Sequence, residues 1–373
     1  MMSAALEPLD FGVRITRVCS HLASAGYDSL LLTGRENIRW LTGFTGSNGW
    51  VLARRDELVL ITDGRYGDQA VEQMAAAGVE CRVEIGSTRV LMAKHLADVV
   101  GVGPLGFEGS HISFADHAAL SAAVDVIWMP TNGVIEAARR TKDVGEIQRM
   151  AHASAIADTA LAVTLPVLLG EPTETQFRDT LEAAMRQHGA DGPSFATIVA
   201  AGANAAMPHH HPDSTRIVEG MTVVIDFGAL YDGYHSDMTR TFTMGDPSPM
   251  QADVYEVVLD AQRRGVALIA PGVGGRAIDN LCRERIAAAG WGDWFTHGTG
   301  HGVGLQIHES PWLTQSYDDT LREADVVTVE PGVYRRDFGG VRIEDMVVVT
   351  TDGCQPLTKT PKDSPCLPSP PTT

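Results

Sequence analysis

Residues 222–244, TVVIDFGALYDGYHSDMTRTFTM, form two β-branched runs on either side of YDGY. Asp232-Gly233 has the chemistry of a two-residue hairpin turn, whose central positions favour positive φ. With the turn placed there, residue 226 faces residue 239 across the strand pair, and residue 237 is its diagonal neighbour on the same side. Asp226 interrupts an apolar strand and Asp237 opens the next, so two carboxylates point into one region. Like charges in that position repel unless a proton or a cation intervenes. A strand-end aspartate hydrogen-bonded to turn amides would account for Asp226 taken alone.

Further along, DVVTVEPGVY (325–334) and VRIEDMVVVT (341–350) put Glu330 and Glu344 in similar settings, each ending or interrupting an apolar strand. Helical patterns lie before and between these strands: IQRMAHASAIADTALAVTLPVLLG (147–170), TETQFRDTLEAAMRQHG (173–189), DVYEVVLDAQRRGVALIA (253–270) and GRAIDNLCRERIAAAG (275–290). Thr173 and Gln176 have the spacing of a capping box. Paired helices with antiparallel strands, rather than a regular βαβ series, indicate an α+β fold.

The chain of 373 residues is longer than a single core usually grows, so two domains are expected. Residues 1–135 alternate strand signals (DSLLLTG, ELVLITDGRY) with a helix signal (GDQAVEQMAAAG) around a polar loop, GFTGSNGW, as in a smaller α/β domain. Residues 136–142 are expected to be a linker, 143–360 the larger domain, and 361–373 a proline-rich tail that does not pack. A formal charge of −18 argues against a nucleic-acid surface. The absence of an apolar run near ~18 residues or a signal-like start leads to the expectation of a cytoplasmic protein with no membrane partner. Five scattered cysteines lack metal-type spacing and indicate reduced thiols.

Residues 295–311, FTHGTGHGVGLQIHESP, set His297, His301 and His308 among four glycines. So many glycines disfavour a helix, and an extended loop can instead pass close to a metal and present a ring nitrogen. Histidines hydrogen-bonded within turns are the plainer alternative. Four carboxylates and one imidazole could balance two divalent cations, and this oxygen-dominated set suits Mn2+, Co2+ or Fe2+ better than a closed thiolate site, with Zn2+ still admissible. Two such cations about 3.5 to 4 Å apart can activate a water and polarise a carbonyl, which points to hydrolysis.

In chain order, IVAAGANAAMPHH, VIDFGALYDGYHSDMTRT, HGTGHGVGLQIHE, TVEPGVY and GVRIEDMVVV resemble the metallopeptidases of the methionine aminopeptidase, aminopeptidase P and prolidase group, which have a pita-bread catalytic fold. The resemblance covers residues 197–349 and extends upstream to 143, while LTGFTGSNGW and LITDGRY resemble a creatinase/prolidase-like N-terminal domain. It implies that Asp226, Asp237, His301, Glu330 and Glu344 bind the metals, with Asp237 and Glu344 bridging them, and that Glu330 takes the proton from attacking water. His209 would stabilise the reacting carbonyl. His308 would hold substrate and serve the leaving proline nitrogen. His297, Tyr334 and Arg342 would support the acidic site. The implied activity is cleavage before proline in short peptides, as an Xaa-Pro aminopeptidase and, in the alternative, an Xaa-Pro dipeptidase (prolidase). A homodimer is also implied. A noncatalytic peptide-binding member is the more remote reading, and retention of all five ligand types argues against it.

Overall fold

A computed structural model describes residues 6–367, without the side chain of residue 23. These residues divide into two compact units, Pro8–Arg139 and a second formed by 6–7 with 140–367.

The first unit contains helices α1 (Phe11–Ala25), α2 (Arg35–Thr42), α3 (Gly67–Ala77), α4 (Arg89–Val99), α5 (Phe114–Ala123) and α6 (Val134–Arg140), the last running to the division. Its strands are β1 (Ser29–Leu32), β2 (Gly49–Arg54), β3 (Leu58–Thr62), β4 (Arg82–Ile85), β5 (Leu105–Glu108) and β6 (Trp128–Thr131). They form one mixed sheet in the order β4-β3-β2-β1-β5-β6. Leu31, Leu52, Val59 and Leu105 are buried in its core with Met92 and Leu96 of α4. The loop expected over 43–50 is shorter than that, because Gly49 and Trp50 already pair with Thr62 and Ile61.

The second unit contains α7 (Val144–Thr164), α8 (Glu174–Gln187), α9 (Pro249–Leu268) and α10 (Gly275–Ala288). Three of the four helices start with a reciprocal capping box: Asp143 with Glu146, Thr173 with Gln176, and Ser248 with Gln251. Each box satisfies backbone N–H groups that the first helical turn leaves free. Helix α7 continues as a 3-10 turn, Leu165–Gly170. The run Val144–Gly170 is long and apolar enough to cross a membrane by length and composition, and half of its apolar window is buried within the protein. Ile156, Leu161 and Leu168 from this run form a core with Phe177 and Leu181 of α8 and with Phe227 and Phe242 of the adjoining sheet.

The strands of this unit are β7 (Gly192–Pro193), β8 (Ile198–Ala201), β9 (Thr222–Phe227), β10 (Ala229–Tyr231), β11 (Tyr234–His235), β12 (Met238–Thr243), β13 (Gly300–Gly302), β14 (Glu309–Leu313), β15 (Val326–Val329), β16 (Gly332–Arg335), β17 (Gly339–Arg342), β18 (Asp345–Val349) and β19 (Cys354–Pro356). They pair as β12-β9-β8, β11-β10-β7, β14-β13-β15-β18-β19 and β16-β17, all antiparallel.

The division between the two units falls within the expected linker, 136–142; there α6 runs to Arg140, whose guanidinium pairs with buried Asp325 at 2.6 Å, and the Lys142 ammonium pairs with buried Glu309 at 2.8 Å. Acids distant in sequence neutralise both cations. One expectation, that of an unpacked tail, needs correction. The tail does pack over 361–367. The Tyr255 hydroxyl donates to the backbone oxygens of Lys362 and Ser364, Lys362 pairs with Asp345, and Cys366 bridges to Thr243. Residues 368–373 lie outside the described part of the chain.

Candidate metal centre

The hairpin register is the one expected from Asp232-Gly233: Thr239 lies opposite Asp226, and both turn residues have positive φ, 45° and 74°. The hairpin also breaks in the middle. A Cβ on Gly228 would lie 1.8 Å from the Ser236 carbonyl oxygen, so only glycine lets the two strands close here. Beyond the break β10 leaves β9's sheet to pair with β7 and β11. Asp226 and Asp237 stand on either side of this corner, near the ends of β9 and β12.

The glycines around His301 have a comparable role. A Cβ on Gly300 would sit 2.0 Å from the Thr328 carbonyl oxygen, and one on Gly302 would sit 2.5 Å from that of Ser310. Strand β13 therefore lies close between β14 and β15, with His301 as its one side chain beyond Cα. Glu330 follows β15 directly, and its N–H donates to the Thr299 carbonyl. Glu344 lies between β17 and β18, with its N–H on the Thr239 carbonyl. Five residues from distant parts of the sequence thus line one cavity of about 680 Å3, together with His209, His297, His308 and Arg342.

Ring tautomers follow from hydrogen bonding. The His301 Nδ1–H donates to the Gly302 carbonyl at 3.0 Å, which leaves Nε2 as a bare lone pair. That nitrogen faces carboxylate oxygens of Asp237 at 3.6 Å and Glu330 at 3.5 Å. Donor atoms of Asp237, His301 and Glu344 all lie within 4.8 Å of one another, and all three residues are buried. Asp226 Oδ1 is buried with no hydrogen-bond partner. Lone pairs directed at lone pairs, beside an orphaned buried oxygen, form a donor set that fits divalent cations.

The electrostatics agree. Burial, followed by the charges of Glu344, Asp226 and Glu330, pushes the Asp237 carboxyl well above the usual range. Burial, then Glu330 and Asp226, does the same to Glu344. Glu330 is pushed up to about 8 by burial and the nearby Asp226, against the pull of Arg342. Burial, and then neighbouring His308, holds His301 down to about 3. Low polarity and mutual repulsion disfavour charge at Asp237, Glu330 and Glu344, and cations would relieve both penalties.

Arg342 organises the rim. It donates to Asp226 Oδ2 at 2.6 Å, to Thr239 Oγ1 at 3.0 Å and to the Tyr334 hydroxyl at 2.7 Å. Thr239 in turn donates to Glu344 Oε2 at 2.8 Å. The Tyr334 hydroxyl donates to His297 Nε2 at 2.9 Å, because His297 Nδ1–H is committed to the Gly298 carbonyl at 2.7 Å. His308 packs edge-on against His301, with centroids 4.4 Å apart. His209 is exposed at the cavity wall.

Several contributors had no sequence signal. Asp279 of α10 accepts from the Thr299 N–H and hydroxyl, while Arg283 of the same helix holds the Phe295 and His297 carbonyls, so one helix clamps the glycine-rich loop. Thr239 reads as an ordinary strand residue. Phe195, Ile307 and Trp312 give the cavity apolar walls.

Comparison with known proteins accords with this geometry. The model of metallopeptidase family M24 matches residues 148–351, and that of the creatinase/prolidase N-terminal domain matches residues 14–141. The solved structure of an Xaa-Pro dipeptidase from Bacillus anthracis is similar with a TM-score of 0.89 and 39% identity, covering 95% of this chain and 99% of that one. An Xaa-Pro dipeptidase of Pyrococcus horikoshii is 33% identical over 94% of this chain and 98% of its own length. The structure of an X-Pro aminopeptidase from Thermotoga maritima has a TM-score of 0.83 and 33% identity, covering 91% of this chain and 97% of that one. The chain belongs to metallopeptidase family M24, with a pita-bread-like α+β catalytic domain behind a smaller creatinase/prolidase-type N-terminal domain, and is a metal-dependent peptidase.

Proposed function

We propose that the protein hydrolyses the peptide bond preceding proline in Xaa-Pro dipeptides, using two divalent cations, with Mn2+ or Co2+ favoured and Zn2+ or Fe2+ admissible. The convergence of Asp237, His301 and Glu344 at the base of a peptide-sized cavity carries the reading. Similarity to proteins named dipeptidase or prolidase moves the preferred substrate from the longer peptides expected at first to dipeptides. Aminopeptidase action is the second reading, supported by the FTGSNGW stretch and the likeness to the Thermotoga maritima enzyme.

Asp226, Asp237, His301, Glu330 and Glu344 would hold the cations. Bound there, the ions would lower the pKa of water and polarise the substrate carbonyl. Glu330 takes the proton from the attacking water at a carboxylate oxygen. His209 donates a hydrogen bond to the carbonyl oxygen as negative charge develops on it. His308 orients the substrate and serves the proline nitrogen as it leaves. Arg342 holds Asp226 in place, and the Tyr334–His297 pair keeps the guanidinium from turning away. Proline suits an apolar pocket because its tertiary amide brings no N–H that needs a partner. A homodimer in the cytoplasm belongs to the same reading.

The test is hydrolysis of Ala-Pro and Ala-Pro-Ala by metal-stripped protein, then with Mn2+ or Co2+ added separately. Ala-Pro should be cleaved only with metal, with kcat/KM about tenfold or more above that for Ala-Pro-Ala. Preference for Ala-Pro-Ala would establish the aminopeptidase reading instead, and cleavage of neither under any metal condition would remove the proline-peptidase assignment.

A further inference from the structure

His209 belongs to the triplet His209-His210-His211, and its neighbour His210 faces away from the catalytic chemistry. The structure places His210 in the protein interior, where its Nε2–H donates to Glu174 Oε2 at 2.7 Å. Glu174 is fully buried at the start of α8. Its other oxygen accepts from the Ala201 N–H at 2.7 Å and from Asn204 Nδ2 at 3.0 Å, and Oε2 also accepts from the Asp213 N–H at 3.1 Å. One carboxylate thus ties down residues 201 and 204 before His209 and residues 210 and 213 after it. Glu174, His210 and Asp213 have donor atoms within ligand distance of one another, but four hydrogen-bond donors already saturate the Glu174 carboxylate, so the cluster is an anchor rather than a cation site.

What lies between the ties is a tight turn. The His210 N–H donates to the Met207 carbonyl at 3.1 Å, so Met207-Pro208-His209-His210 forms a β-turn with proline at its second position, where a fixed φ favours the turn. His209 is the third residue of that turn, and His210, the fourth, is held by Glu174. Two further contacts fix the assembly from other sides. The first turn of α8 docks on the same loop, with the Glu174 and Thr175 N–H groups on the Thr215 and Asp213 carbonyls. On the opposite face, β17 approaches so closely that a Cβ on Gly340 would lie 2.0 Å from the Ala205 carbonyl oxygen. Arg342, at the end of β17, reaches the Pro208 carbonyl at 3.5 Å while holding Asp226 at 2.6 Å. The loop is therefore referenced to both the helix and the acidic site.

We propose that Glu174 and His210 are positioning residues that act through His209, fixing the turn that holds its imidazole over the carboxylate cluster. The inference rests on the role of His209 in the proposed function.

The test is a double-mutant cycle with His209→Ala, His210→Ala and the pair, measuring Ala-Pro hydrolysis by Mn2+-loaded enzyme, together with histidine-selective labelling read by NMR. Displacement of a reacting group by about 1 Å can cost on the order of 100-fold, so His210→Ala should lower kcat by about tenfold or more with little change in KM. In the His209→Ala background the same substitution should change kcat by less than about twofold, because its effect passes through the missing ring. His210→Gln, which keeps a donor for Glu174, should recover part of the loss, and Mn2+ affinity should be unchanged in both variants. In the NMR spectrum, the ring signal that disappears in His209→Ala should shift or broaden in His210→Ala, while those of His297 and His301 stay in place. Equal losses in both backgrounds, Mn2+ affinity that falls with activity, or a His209 signal indifferent to His210→Ala would each overturn the proposal. If His210→Ala does not fold, His210→Asn serves the same comparison. A parent enzyme inactive on Ala-Pro would count against the proposed function, and the NMR comparison would still decide the anchor.

Discussion

His111, in the N-terminal unit, shows how single residues set the pH response. Its Nε2 lies 2.6 Å from Glu136 Oε1, and Asn37 donates to the same oxygen at 2.7 Å. The bond to Glu136 raises the His111 pKa above 6.5, against the effect of burial. Burial alone would raise Glu136, but the bonds from His111 and Asn37 outweigh it and hold the carboxyl down to about 2. The remaining groups around the pair are Glu108, whose charge also favours protonated His111, and Glu36. The histidine's share of stability is complete below 6.5 and is lost as pH rises through its folded pKa; the glutamate's is complete above 4.5 and is lost as pH falls toward 2. The pair should therefore stabilise most between those limits, by about 1 kcal/mol or less after solvent screening. Calorimetry should find the melting-temperature gap between the parent and Glu136→Gln widest near pH 5 to 6 and narrowing by pH 8; a gap constant across that range would refute the pairing. At the same scale, the gathering of Asp226, Asp237, Glu330 and Glu344 at one cavity was legible because acids inside apolar strands conflict with burial. Glu174 and His210 were not, because a capped helix start and a histidine triplet conceal which side chain turns inward.

Among the elements, β13 depends most on having no side chain. Gly300→Ala would drive a methyl group into the Thr328 carbonyl, and either strand β13 or strand β15 must then move. Overpacking of this kind costs about 1 to 3 kcal/mol, and the displacement would carry His301 away from Asp237 and Glu330. We expect Gly300→Ala to lower the melting temperature and to weaken Co2+ binding at least about tenfold; parental Co2+ affinity in a destabilised variant would mean that the close packing of β13 does not position the imidazole. The glycines allow a strand narrow enough to fit between two others, with one imidazole projecting from it. The hairpin register followed from Asp232-Gly233, since a two-residue turn leaves one pairing available. The kink at Gly228 did not, because its cause is Ser236 on the returning strand. The ion pairs of Arg140 and Lys142 were hidden for a related reason: Asp325 and Glu309, which neutralise them, are remote in sequence.

For the molecule as a whole, the α+β class and the presence of two units were readable from the order of strand and helix signals, whereas the packing of 361–367 depends on Tyr255 and Asp345, which no local pattern indicates. The central claim is that five distant side chains converge to bind catalytic cations. Binding to the folded state alone should stabilise it, by about 2.7 kcal/mol at a free-metal concentration one hundred times Kd. The most direct measurement is calorimetric titration of the metal-stripped protein with Co2+, for the parent chain and for Glu344→Gln. The account predicts two ions per chain in the parent and loss of at least one in the variant, with the fold retained. No binding by the parent, or identical binding by Glu344→Gln, would contradict it.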